Sequence, residues 1–153
     1  MDMPELNSTM VNYFMPEPPE LLAQWDGEIK FSGIKGKLDY KKLLEPIPCG
    51  NGWIPLPFEW DGSSTPRLLS PLIPKWRHPV FSARHDFRCR LIRQMRKEGM
   101  SWREGMKLRK IADQLGREDI MIGQKRQWVG EIEGFIAYVG VRIGAYTGIG
   151  MRS

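Results

Sequence analysis

Two short segments hold the residues that could do chemistry. Asp61-Gly62-Ser63-Ser64-Thr65-Pro66 presents a carboxylate beside small hydroxyl residues, and Ala83-Arg84-His85-Asp86 sets an imidazole next to a carboxylate. The only other histidine is His78. His85 with oxygen ligands from Asp61 and Asp113 would suit a hard or borderline divalent metal. Cys89 stands one helical turn after His85 and could face the same site. Asp86 lies about 100° round a helix from His85, so one helix aims the two apart. No HExxH pattern is present.

The competing reading is structural. Asp61 would accept from backbone N–H groups of a Ser63–Ser64 turn, and His85 would pair with Asp61 or Asp113 as a satisfied buried couple. This lock is preferred over metal binding or catalysis, for which Asp61, His85, Asp86 and Asp113 are the candidates. Ser63 or Ser64 with His85 and Asp113 would assemble a nucleophilic triad on paper. Small hydroxyl residues after Asp-Gly are turn formers first. No organic cofactor is implied.

A third chemistry is electrostatic. Between residues 75 and 97, Lys75, Arg77, Arg84, Arg88, Arg90, Arg93, Arg96 and Lys97 face one acid, Asp86. Arginine-rich helices can track phosphates. These arginines scatter around the helix instead of lining one stripe, which favours a solvated face or salt bridges to a neighbouring chain. Nucleic acid is therefore a disfavoured partner.

The elements that must position these residues follow from length and pattern. The chain has 153 residues, 41% of them hydrophobic, enough for a domain with a core. Its net charge of +5 fits an acidic partner without requiring one. Cys49 and Cys89 form no CxxC pair and read as reduced thiols in a cytosol-made protein. No secretory signal is recognisable. The apolar stretch from Trp128 to Ile149 contains Glu131, Glu133 and Arg142. Each charge would cost roughly 2.5–3.5 kcal/mol at mid-bilayer, so no membrane span is expected.

Residues 1–20 read as an extended N-terminal arm. Its prolines oppose helix, and Val11, Tyr13, Phe14 and Met15 form an apolar patch suited to docking on a neighbour. Residues 21–146 read as a single α+β domain: a small irregular antiparallel sheet followed by three helices. Glu28-Ile29-Lys30-Phe31 alternates as a half-buried strand. The prolines in Trp53-Ile54-Pro55-Leu56-Pro57-Phe58 restrict that segment to an edge strand or extended loop delivering Asp61.

The first of the three helices begins at Pro79, shows Val80, Ala83, Phe87 and Leu91 on one face, and ends at Gly99. Ser101 with Glu104 forms a capping box for the second, which Gly116 should stop. The third runs from about Gln124 to Tyr146. Trp128, Ile132, Phe135, Val139 and Ile143 form its apolar stripe. Glycines four apart (Gly130 and Gly134; Gly140, Gly144 and Gly148) predict a flat face approached by another backbone. Residues 147–153 read as a flexible C-terminal tail.

Four segments occur in a telling order: Pro57-Phe58-Glu59-Trp60-Asp61-Gly62-Ser63-Ser64-Thr65-Pro66, Ala83-Arg84-His85-Asp86-Phe87, Arg109-Lys110-Ile111-Ala112-Asp113 and Val141-Arg142-Ile143-Gly144. Together they resemble the domain-of-unknown-function family 1353 of tailed bacteriophages and prophages, over roughly residues 45–146. Glu59-Trp60 stand where that family usually has Phe-x-Thr, and Ser63 where it has Ala. The resemblance implies a phage-encoded protein and supplies no reaction.

The expectation is a non-enzymatic virion structural protein of the tail, baseplate or head–tail junction, made in the host cytoplasm. It would belong to an oligomeric assembly and contact other virion proteins through the arm and its helical faces. The alternative is a metal-dependent hydrolase, acting for example on the cell wall, with Asp61, His85 and Asp113 as ligands or acid–base groups.

Overall fold

The computed structural model describes residues 10–62, 72–74, 76–125 and 127–148. A small antiparallel sheet precedes three helices, an α+β architecture. The chain forms two compact units, Met1–Asp61 and Gly62–Ser153.

In the first unit, a one-turn helix α1 (Pro19–Leu22) precedes β1 (Phe31–Ile34), β2 (Lys37–Leu43), β3 (Pro48–Cys49), β4 (Gly52–Trp53) and β5 (Glu59–Trp60). The three-stranded sheet has the order β1-β2-β5, and β3 and β4 make a separate hairpin. The strand expected from Glu28 begins only at Phe31. Lys30 is instead held by side-chain ion pairs to Asp26 (2.6 Å) and Glu45 (3.1 Å). Pro55 and Pro57 lie between β4 and β5, outside both ladders, as a missing N–H requires. β5 then pairs along the edge of β2, Lys41 opposite Trp60 and Lys42 opposite Glu59. Trp60 is fully buried, stacked on Phe58 (5.4 Å between ring centres) and tilted against Phe31 (5.8 Å).

The described part of the arm, expected to seek a neighbour, packs on its own unit. Met10 and Phe14 are buried. The Asn51 N–H donates to the Asn12 carbonyl (3.0 Å), and the Gly50 N–H donates to the Glu17 carboxylate (2.7 Å). Gly50 sits at φ +58°, and a Cβ there would stand 2.5 Å from the Tyr13 carbonyl oxygen. Composition shows that the segment wants cover, but not that the β3–β4 turn is bare enough to give it.

The second unit contains α2 (Pro79–Lys97), α3 (Trp102–Gly123) and α4 (Trp128–Tyr146). α3 packs against both others. Pro79 occupies the first turn of α2, and every side chain from Phe81 to Cys89 is buried. α2 is thus covered on more than one side, with Phe81 and Ile92 buried as well as Ala83, Phe87 and Leu91. Ser101 caps α3, its hydroxyl oxygen accepting from the Glu104 N–H at 3.1 Å.

Two expectations fail here for physical reasons. Gly116 does not stop α3, which runs on to Gly123. A Cβ at Gly116 would meet the Phe81 ring at 2.6 Å, so this glycine makes room for α2 rather than ending a helix. The α4 stripe also points the other way. Trp128, Ile132, Phe135, Val139 and Ile143 are all exposed, while Gly130, Gly134, Ala137, Gly140, Val141, Gly144 and Ala145 are buried. The flat glycine face is the one that meets α3: a Cβ on Gly134 would lie 3.2 Å from Met121 Cγ and 3.4 Å from the Arg117 carbonyl oxygen. Phe81, Ile120, Ala137 and Val141 close the apolar core, one or more from each helix.

Candidate functional site

Three of the four sequence segments singled out above converge inside the second unit. His85 comes from α2, Asp113 and Arg109 from α3, and Arg142 from α4. The Asp113 carboxylate is the common acceptor. Its Oδ1 takes His85 Nε2 at 2.6 Å and Arg109 Nε at 2.9 Å, and its Oδ2 takes Arg142 at 2.8 Å. Arg109 also donates to the Val141 carbonyl at 3.1 Å, tying α3 to α4 a second time. His85, Arg109 and Asp113 are completely buried, and the Arg142 side chain is 14% exposed.

The local sequence explains the convergence. Arg109 and Asp113 are four apart on α3 and share a face. His85 and Cys89 are likewise one turn apart on α2, with the Cys89 sulfur 3.8 Å from His85 Nδ1. The Phe81 ring lies 5.5 Å from the imidazole and closes its apolar side.

Burial disfavours a charge on His85, but Cys89 and the Asp113 hydrogen bond outweigh it and raise its pKa to about 9. Burial would also push Asp113 upward. The hydrogen bond and charge of His85, together with Arg109, hold it below the usual carboxylate range instead. The pair is therefore an imidazolium–carboxylate couple at neutral pH, closed from water.

The remaining candidates stand elsewhere. Asp86 is buried on the next face of α2 and accepts from the Gly62 N–H at 2.9 Å, so it holds the backbone at Gly62. Asp61 is half-buried, the last residue of the first unit. The Ser63–Ser64 turn, and with it the drawn Ser nucleophile, falls outside the described residues. Among the described residues, no three His, Cys, Asp or Glu side chains are grouped to hold a metal ion. Among them, too, no helix is long and apolar enough to cross a membrane.

The basic run of α2 is divided between structure and surface. Arg84 and Arg88 are buried, Arg84 on the Asp119 carboxylate of α3 at 2.7 Å. Arg77 and His78 both reach Glu133 of α4, at 2.6 and 2.8 Å. Arg96 lies over the Trp102 ring at 4.8 Å. These arginines mostly join the helices to one another.

Sequence reasoning missed Arg109 and Arg142 as partners of Asp113. An arginine and an aspartate four apart on an amphipathic helix, and one arginine amid the small residues of α4, were the available signals. The fold and the site define an α+β protein with a closed ionic centre tying three helices together. No family model matches the chain, and neither a curated protein nor a solved structure matches it.

Proposed function

We propose that this chain is a non-enzymatic structural protein of a bacteriophage virion, serving at the tail, baseplate or head–tail junction after synthesis in the host cytoplasm. The observation that carries the non-enzymatic part is the closure of the His85–Asp113 couple. A general acid or base must come within hydrogen-bond reach of its substrate. His85 and Asp113 expose no surface, and Asp113 already accepts three donors. Chemistry there would require the three helices to part.

The virion part rests on the resemblance in the four ordered segments. Three of them supply the ionic centre, so their residue types have a structural use independent of any reaction. Quantitative mass spectrometry of purified particles tests the proposal. The expected result is this chain at a fixed copy number per particle. Its absence from particles, with abundant soluble protein in the lysate, would overturn the proposal. The metal-dependent hydrolase separates from it by elemental analysis of wild type and His85→Ala. Near-stoichiometric metal lost in the variant would favour the hydrolase.

A further inference from the structure

The outward face of α4 is out of keeping with a solvated helix. Trp128, Ile132, Phe135, Val139, Ile143 and Tyr146 recur at three-to-four spacing and are 71, 51, 56, 39, 56 and 76% exposed. Between Trp128 and Tyr146, Glu131 is the one exposed charged residue, Glu133 and Arg142 being half-buried. Isolated apolar side chains on a surface need no explanation, but a continuous row does. Together these six present on the order of 700 Å², close to the roughly 800 Å² that each partner contributes to a standard protein interface. Arg117 over the Phe135 ring (5.9 Å) and Arg142 over the Tyr146 ring (5.4 Å) edge the row, so charge stands beside it and its centre is apolar.

We infer that this face pairs with the same face of a second copy, the two α4 helices lying antiparallel across a two-fold axis. A two-fold interface must be complementary to itself. The row is nearly palindromic about Ala137: Trp128 and Tyr146 lie nine positions to either side, Phe135 and Val139 two, and Ile132 and Ile143 five and six. Antiparallel pairing therefore sets Trp128 beside Tyr146 and Phe135 beside Val139, large against smaller. The spacing is a mixture of fours and threes, as in helices that seat side chains between those of a neighbour. Parallel pairing would set Glu131 against its own counterpart and align the two helix dipoles. This inference deepens the assembly proposal by naming the partner of one face, and dimerisation of the isolated chain tests it separately from the virion.

Light scattering of the purified chain at about 10 µM, well above a micromolar dissociation constant, should return twice the chain mass. Ile132→Lys with Phe135→Lys alters only exposed positions, and should give a folded monomer with association weakened at least a hundredfold. A monomeric wild type, or a double variant that remains dimeric, overturns the pairing. So does a monomer that co-sediments with equal-part phosphatidylcholine–phosphatidylserine vesicles, which would make the face a membrane contact. Orientation is read by mixing Trp128→Cys and Tyr146→Cys chains under diamide. The mixture should cross-link faster than either variant alone. Faster cross-linking within each single variant means parallel helices and sinks the antiparallel arrangement.

Discussion

His85 Nε2 stands 2.6 Å from Asp113 Oδ1, with both side chains sealed from solvent. The couple has an unequal charge balance: one carboxylate faces an imidazolium and two guanidiniums. Removing the carboxylate would leave His85 and Arg109 buried without a counter-charge. Asp113→Asn should therefore destabilise the second unit by about 3–5 kcal/mol, the usual effect of breaking a buried ion pair from one side. Urea denaturation followed by tryptophan fluorescence measures it. A loss under about 1 kcal/mol would mean that the centre carries little of the stability.

The same couple sets an alkaline limit. Folding raises the His85 pKa from an ordinary 6.5 to about 9. The folded chain thus binds this proton more tightly than the unfolded chain. The resulting stabilisation is complete below 6.5 and disappears as pH rises through 9. It amounts to about 3 kcal/mol at most. Melting temperature should fall steadily from pH 7 to pH 9.5. His85→Gln, which keeps a neutral donor for Asp113, should be less stable at pH 6.5 but show no such slope. A wild-type curve flat over that range would mean that His85 is neutral in the fold.

At Gly116, α2 and α3 are in close approach. The Cβ of an alanine would meet the Phe81 ring at 2.6 Å, and a buried ring tilted against His85 has little room to move. Gly116→Ala should cost about 1–3 kcal/mol through overpacking, despite alanine's better helix propensity. Gly134→Ala is the control. Its nearest neighbour is the flexible Met121 side chain at 3.2 Å, so the penalty there should be smaller. Thermal melts of the two variants rank them, and Phe81→Leu in the Gly116→Ala background should recover part of the loss.

Much of this arrangement was legible in the sequence. The Pro79 start, the Ser101–Glu104 cap and the three-helix count follow from local rules that tertiary packing did not override. So did the prolines that keep 55–57 out of a ladder. Two features were not legible, for one reason. α4 carries two interleaved periodic faces, one of large apolar residues and one of small residues. Periodicity identifies both without saying which meets a neighbour. The small face wins because glycine and alanine let the α3 backbone come within van der Waals range. The large face is left for something outside the unit. Gly116 misled in the same way: a glycine that ends a helix and one that admits a neighbouring ring look alike in sequence. As for the ionic centre, the pairing of His85 with Asp113 was foreseeable as an alternative. The two arginines that complete it were not, because an Arg on an amphipathic helix is ordinarily a surface residue.

The first unit offers a separate test, in the turn that receives the arm. Gly50 combines a left-handed backbone (φ +58°) with a Tyr13 carbonyl oxygen 2.5 Å from where a Cβ would stand. Gly50→Ala meets both obstacles at once: roughly 1–2 kcal/mol of backbone strain and a contact that backbone atoms cannot relieve by rotating. Relief must come from moving the 12–17 segment away, breaking the Asn51–Asn12 and Gly50–Glu17 hydrogen bonds. Limited proteolysis should then cut between residues 10 and 18 many times faster than in wild type, while the ionic centre keeps its pH profile. Glu17→Gln, which weakens only the charged acceptor, should increase cutting by a smaller factor. Equal cutting in wild type and Gly50→Ala would show that the arm does not depend on this turn.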